Sequence, residues 1–200
     1  MSSLNPAIQI IRDTWPSNPG ILDDLAARLT AAQPVPLVPF VGAGLSIPMG
    51  FPGWRDCLTN LAQKCGKSAE VADQLGAGRY EEAAETIETA LGAALFNRRL
   101  AHIFGQYPSE TCTLKGPILA LPDLSPGAVV TTNFDRLLER VFREAGAPFQ
   151  HVAWGSQIDS ITRAIRDNQP FLLKIHGDAE ERTNRVLTKS EYDRHYAAHG

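Results

Sequence analysis

The sequence predicts an α/β fold, a largely parallel sheet flanked by helices and carrying a helical insertion. Three observations predict it. Short apolar runs bounded by turn residues occur at 37–41, 128–132 and 171–175, as expected of strands buried on both faces. Between them lie stretches with apolar residues at helical spacing, the alternation of a βαβ chain. The composition, 200 residues with 44% hydrophobic, 20% charged and a net charge of -3, is too apolar and too weakly charged for disorder. A chain of this size buries about 70% of its extended surface on folding.

Taken in order, residues 1–18 hold Pro6, Trp15 and Pro16 and read as a short helix and an arm. From Gly20 to Gln33, Ile21, Leu22, Leu25, Ala26 and Leu29 keep helical spacing, and Pro34 and Pro36 end that helix. Leu37 to Val41 reads as a strand, weakened by Pro39. Gly42-Ala43-Gly44-Leu45-Ser46 comes at once after it, then a loop from Pro48 to Gly53 and a helix over 54–65 with Trp54, Leu58 and Leu61 on one face. Residues 67–105 are helical throughout, with Val71, Leu75, Ala83, Ala84, Ile87, Leu91, Leu95, Leu100 and Ile103 as buried positions. Glu81, Glu85 and Glu88 fall on a solvated face. This block, about 67–112, is the insertion beside the sheet. Strand pattern resumes at 128–132, with a helix bearing Leu137, Leu138, Val141 and Phe142 after it. Residues 149–154 read as a further strand, 158–167 as a helix and 171–175 as a strand, and a new helix begins before His199-Gly200. Three convincing core strands are fewer than a doubly wound sheet holds, so the chain reads as an incomplete fragment of a longer protein.

Several classes are excluded. Cys57, Cys65 and Cys112 contain no CxxC pair, which argues against a zinc knuckle and a disulfide framework and suits a cytoplasmic location. The N-terminus lacks the apolar run of a signal peptide, and the apolar segment Pro36–Leu45 is too short to span a bilayer. The charge balance supports neither a nucleic-acid nor a membrane surface. Arg136, Arg140 and Arg143 share a helical face and read as an exposed salt-bridging surface.

Three strands end in polar or glycine-rich sequence: Gly42-Ala43-Gly44-Leu45-Ser46, Thr132-Asn133-Phe134-Asp135 and His176-Gly177-Asp178. In an open parallel sheet, ligands bind beyond the carboxyl ends of strands, so these three segments are expected to meet at one crevice. Gly42 and Gly44 can bring backbone amides close to a diphosphate. The third glycine of GxGxxG is replaced by Ile47, and no lysine makes a Walker-type loop. The loop alone therefore leaves dinucleotide binding, another phosphate and an ordinary tight turn open. His176 can accept a hydroxyl proton near neutral pH or simply satisfy a carbonyl. Asn133 can orient a ribose hydroxyl or water or serve as a turn residue, and Asp135 can cap the next helix instead of touching a ligand. No GxSxG elbow or HExxH pair is present.

These segments, with Thr131, Lys174, Ile175 and the stretch Val186-Leu187-Thr188-Lys189-Ser190-Glu191-Tyr192, resemble the sirtuin-like domains, particularly the NAD-consuming domains of bacterial anti-phage proteins. The resemblance implies a Rossmann-like NAD-binding catalytic domain over 19–200. It assigns Gly42, Ala43, Gly44, Ser46, Thr132, Asn133, Asp135 and His176 to NAD binding, His176 and Asn133 to catalysis, and Asp135 to the nicotinamide end. The paired-cysteine zinc module of classical deacylases has no counterpart, so no metal is expected and water is favoured as acceptor. The later strand motifs on the adenosine side are also missing.

The same resemblance implies hydrolysis of NAD at the nicotinamide–ribose bond, giving nicotinamide and ADP-ribose, as an anti-phage effector. The alternatives are NAD-dependent protein deacylation and a non-catalytic module that binds NAD or ADP-ribose. A toxic NADase needs restraint, which points to a homo-oligomer, a regulatory protein or a fused sensor domain as partner.

Overall fold

The structure is a computed structural model and describes residues 15–31, 37–125, 127–154 and 157–196. Of the short helix and arm expected over 1–18, residues 1–14 lie outside the described residues, as do Pro34, Pro36 and His199-Gly200. The chain forms two compact units, 1–37 and 38–200. In the first, helix α1 (Asn18–Thr30) begins with a proline in its first turn and buries none of its side chains.

Among its described residues the second unit is an α/β fold around a four-stranded sheet. Its strands are β1 (Phe40–Val41), β2 (Ala128–Thr131), β3 (His151–Trp154) and β4 (Phe171–Lys174). They are all parallel and stand in the order β1-β2-β4-β3. The run at 149–154 thus provides a fourth strand beside the three that the sequence marks clearly. The stretch expected as a strand over 37–41 is regular only at Phe40–Val41. Proline has no amide hydrogen to give to a ladder, and Pro39 joins only by accepting from Val130 N at 2.9 Å.

Between β1 and β2 the described residues contain helices and 3₁₀ turns only. They are α2 (Trp54–Cys65), α3 (Ser68–Gly76), α4 (Tyr80–Leu91), α5 (Ala93–Phe104), α6 (Gln106–Thr111) and α7 (Leu121–Leu124). Helix α2 packs with α3 and α4 through Cys57, Leu58, Leu61 and Ala62 against Val71, Leu75, Ala83, Ala84 and Ile87, all buried. After β2 comes α8 (Leu137–Glu144), whose apolar stripe Leu137, Leu138, Val141 and Phe142 is buried as the spacing predicts. Helix α9 (Ile158–Arg166) joins β3 to β4, and α10 (Lys189–Tyr196) comes after β4.

The acidic face of α4 differs from expectation. Glu81, Glu85 and Glu88 are all half-buried rather than solvated. Glu85 accepts hydrogen bonds from the Ser190 amide and hydroxyl at 3.0 and 2.9 Å, and Glu88 pairs with Arg182 at 3.3 Å. The face is where the segment after β4 docks. Periodicity could not reveal this, because a face that binds a polar segment has the same composition as one that binds water. The three arginines also differ among themselves. Arg143 pairs with Glu110 and Arg140 with Glu144, but Arg136 is bound up with Asp178 and Glu180 beneath the strand ends.

Candidate active site

Register puts the site together. Val41 stands opposite Thr131, Thr131 opposite Lys174, and Lys174 opposite Trp154. The strands end level, and the three loops singled out in the sequence leave from one edge of the sheet. Thr131 stitches the first two: its hydroxyl donates to Val41 O at 2.9 Å and accepts from Asn133 N at 3.0 Å.

Ser46, at the end of the glycine loop, is the meeting point. Its hydroxyl donates to Asp135 Oδ2 at 2.7 Å and accepts from Asn133 Nδ2 at 3.0 Å, joining residues 89 and 87 positions away. All three side chains are buried. The other oxygen of Asp135 accepts from the Leu137 amide at 3.1 Å, in the first turn of α8. Asp135 therefore bonds an amide in the first turn of α8 as well as Ser46, although the N-cap position itself is Arg136, one residue later than the sequence suggests. Burial pushes its carboxyl above the usual range, opposed by the Ser46 hydroxyl, the Leu137 amide and the nearby Lys174 charge. Ala43, Ser46, Asn133 and Asp135 line a cavity of about 20 Å³, closed by Pro52, Trp54, Phe104 and Phe134. That is room for about one water.

Gly42 and Gly44 are exposed. Neither has a positive φ, and a Cβ built on either meets nothing within 4 Å. Among the described residues nothing requires glycine there and the loop's outer face is open to a close-lying ligand, while its backbone does turn tightly, through the 3₁₀ turn Ala43–Leu45 with Leu45 N donating to Gly42 O at 3.1 Å. Thr132 enters only through its backbone, donating to Val41 O at 3.2 Å, and is not among the residues lining the two cavities described here.

His176 lies on a second cavity. This one is about 520 Å³ and is lined by Trp54, Arg55, Tyr80, Glu81, Leu187 and Tyr192 among others. The strand ends meet at one edge, yet the expected crevice is divided in two, with Trp54 lining both parts. The Trp54 ring meets Phe134 edge-on at 4.8 Å, and Phe134 lies 6.4 Å from the His176 ring. Burial pushes the His176 imidazole below its ordinary value, with Glu81 pulling the other way. The shift favours the neutral ring, the form that accepts a proton. Among the described residues its buried Nδ1 has no hydrogen-bond partner.

The turn that carries His176 depends on Gly177. It has φ +80°, and a Cβ there would lie 2.2 Å from Asn184 O and 3.0 Å from Arg185 Cα. The close approach lets Val186 N donate to His176 O at 3.0 Å. The next stretch is a clasp. Thr188 and Glu191 form a reciprocal capping box, Thr188 N to Glu191 Oε2 at 3.1 Å and Glu191 N to Thr188 Oγ1 at 3.3 Å. Glu191 also takes Leu187 N and pairs with the fully buried Arg185, which reaches Asn97 on α5 and lies over the Phe96 ring. Val186, Leu187 and Tyr192 are thereby fixed as walls of the His176 cavity.

Sequence reasoning missed Trp54, Thr131, Arg136 and Lys174 as parts of the site. Trp54 and Thr131 carried a weak signal as the first residue of a helix and the last of a strand. Lys174 carried a stronger one, a charge at the end of an apolar strand. Burial pushes the Cys57 thiol up to about 12, which removes it as a nucleophile. Among the described residues no three His, Cys, Asp or Glu side chains are grouped to hold a metal ion, and no helix is long and apolar enough to cross a membrane.

Comparison with known proteins adds an independent line. Residues 127–200 match the SIR2-like domain. The chain is 24% identical over 157 residues to the NAD(+) hydrolase ThsA of Enterococcus faecium, covering 78% of this chain and 30% of that protein. It is 29% identical over 158 residues to the protein of the same name from Cytobacillus dafuensis, covering 77% and 29%. Against Defense-associated sirtuin 2 of Bacillus subtilis it is 26% identical over 159 residues, covering 78% of this chain and 15% of that one. The chain thus spans about a third or less of the length of these relatives.

Proposed function

We propose that the chain, whose residues 127–200 match the SIR2-like domain, is the NAD-cleaving part of a bacterial defence protein. In this reading it hydrolyses NAD at the nicotinamide–ribose bond, and its sheet is part of a larger Rossmann-like domain. The observation that carries the reading is the bridge Asn133–Ser46–Asp135. It joins two strand-end loops beneath glycines whose open faces no internal contact explains. The names of the related proteins support the substrate and the defence role.

Each residue then has a defined task. Gly42, Ala43 and Gly44 let the diphosphate approach the backbone, and Ser46 ties Asp135, the residue assigned to the nicotinamide end, to Asn133, which directs a ribose hydroxyl or the attacking water. Thr132 contributes through the backbone that spaces Asn133 from β2. Nicotinamide leaves NAD as a neutral molecule, taking the electrons of the C–N bond, so its departure needs no acid. The sugar carbon, with oxocarbenium character, takes the oxygen of water. The neutral His176 imidazole receives the proton. The protein must hold these groups in line, and a positioned proton-transfer residue contributes about 10²–10⁴-fold.

Nicotinamide release by the full protein, with His176→Ala and Asn133→Ala alongside, tests the reading. Both variants are expected to lose turnover by about 10²-fold or more while remaining folded, and undiminished turnover in both rejects it. One observation favours a second reading. The His176 cavity of about 520 Å³ is far larger than water needs and is walled by aromatic side chains, so it suits a bulky acceptor such as an acyl-lysine. Release that requires an acyl-lysine peptide selects that reading over hydrolysis.

A further inference from the structure

We infer that Lys174 is a positioning residue that locks the loop after β2 to the turn after β4, and so sets Asn133 and Asp135 relative to His176. The role is defined for the NAD-cleavage reading above and rests on it. Lys174 closes β4 and is 0% exposed. Its ammonium reaches Asp135 O at 2.9 Å, Asp178 Oδ2 at 3.0 Å, Glu139 Oε1 at 3.1 Å and Phe134 O at 3.4 Å. Two of these acceptors are main-chain carbonyls of the Asn133-Phe134-Asp135 loop. A third belongs to the His176-Gly177-Asp178 turn. A single group thus holds both segments that carry the candidate catalytic side chains.

The turn is gripped from its other side as well. Arg136 comes directly after Asp135 and closes a fork on Asp178, Nε to Oδ2 at 3.0 Å and Nη2 to Oδ1 at 3.2 Å. The Glu180 amide donates to Asp178 Oδ1 at 2.9 Å. Stability alone does not explain this arrangement, because well-packed apolar residues in place of a buried ion pair are often as stable or more so. An apolar side chain at 174 cannot, however, gather two carbonyls of one loop and a carboxylate of another turn at one point. Registry is the service that requires the ammonium. Full burial and four partners also remove Lys174 from any direct part in the chemistry.

The test is Lys174→Met combined with Glu139→Gln, which keeps the local charge balanced, in the full protein. Leu75→Ala, a core truncation in the helical block, serves as control for simple loss of stability. The double variant is expected to lose about 10²-fold in kcat for nicotinamide release, with KM for NAD changed only about threefold or less. Leu75→Ala keeps the kcat of its folded fraction. Hydrogen exchange is expected to rise together at residues 133–137 and 176–180 in the double variant and not in the control. Arg136→Gln, at the solvent side of the same cluster, loses about 10-fold in kcat by the same route and decides the matter should the double variant not fold. Retained kcat, an equal loss per folded molecule in Leu75→Ala, or exchange that rises in only one segment overturns the inference. A wild-type protein that binds NAD without releasing nicotinamide defeats the functional reading instead, and the joint exchange still decides whether Lys174 couples the segments.

Discussion

Replacing Gly177 by alanine measures how tightly the His176 turn is built. Two effects add. At φ +80° an L side chain pays for the left-handed region, about 1–2 kcal/mol. The new Cβ would also lie 2.2 Å from Asn184 O and 2.8 Å from its carbonyl carbon, which are backbone atoms with no rotamer to escape into. Residues 184–186 must move away, and the bond from Val186 N to His176 O at 3.0 Å is lost, worth about 1 kcal/mol. The expected total is about 2–3 kcal/mol. Gly78→Ala separates the two contributions, because Gly78 has φ +75° with nothing within 4 Å of a Cβ and bears the conformational penalty alone. Both alanines restrict the unfolded chain equally, so that effect cancels in the comparison. Urea unfolding with a common slope is expected to place Gly177→Ala at least about 1 kcal/mol below Gly78→Ala. Turnover per folded molecule should fall only in the first variant. Equal losses of stability in the two would refute the close approach as the reason for glycine at 177.

The same geometry sets three further outcomes. Ser46→Ala leaves the buried Asp135 Oδ2 without its 2.7 Å donor and should cost about 1–3 kcal/mol in urea unfolding, with weaker NAD binding by calorimetry. Glu191→Gln leaves the fully buried Arg185 without its counter-charge and should cost about 3–5 kcal/mol, whereas Arg185→Met with Glu191→Gln, which keeps an acceptor for the Leu187 and Thr188 amides, should recover most of that loss; a double variant no better than the single one contradicts the stranded charge as the cause. The folded His176 pKa lies below the ordinary 6.5, so the unfolded chain binds more protons between the two values. Stability should therefore rise with pH through that interval and level off above it. His176→Gln should flatten this slope in melts between about pH 5 and about 8, and in wild type the acid limb of kcat/KM should fall below 6.5.

Much of the sheet was legible because its strands are short and apolar on both faces, with little else for Val129, Val130, Leu172 and Leu173 to be. The helix carrying Leu137, Leu138, Val141 and Phe142 was equally plain, since every apolar residue falls on one buried stripe. Strand order was not legible. Nothing in the residues of 151–154 says that they pair with β4 and not with β2, because pairing depends on where α8 and α9 cross the sheet. The meeting of Ser46 with Asn133 and Asp135 was legible only as a consequence of parallel strands ending level, which motif spacing suggests and register settles. That the crevice falls into two parts, both lined by Trp54, was not legible, since an aromatic residue at a helix start reads the same whether it faces core or cleft.

The helical block shows why a boundary drawn from periodicity alone misplaces function. An insertion beside a sheet need only bury its own stripe, and α3 to α5 do so with Val71, Leu75, Ile87, Phe96 and Leu100. Yet the same helices contribute Tyr80 and Glu81 to the His176 cavity and hold the clasp through Glu85, Asn97 and Phe96. Val186, Leu187 and Tyr192 reach the cavity only because that clasp is anchored there. The wall opposite His176 is therefore built by segments about a hundred residues apart in sequence, and its shape depends on polar contacts that a hydrophobic pattern does not encode. A change in the packing of α4 against the clasp would alter the space in front of His176 without touching the strand ends. Helix α4 of the insertion accordingly helps to wall the His176 cavity, and under the proposed function a change of acceptor from water to a larger group would be met there.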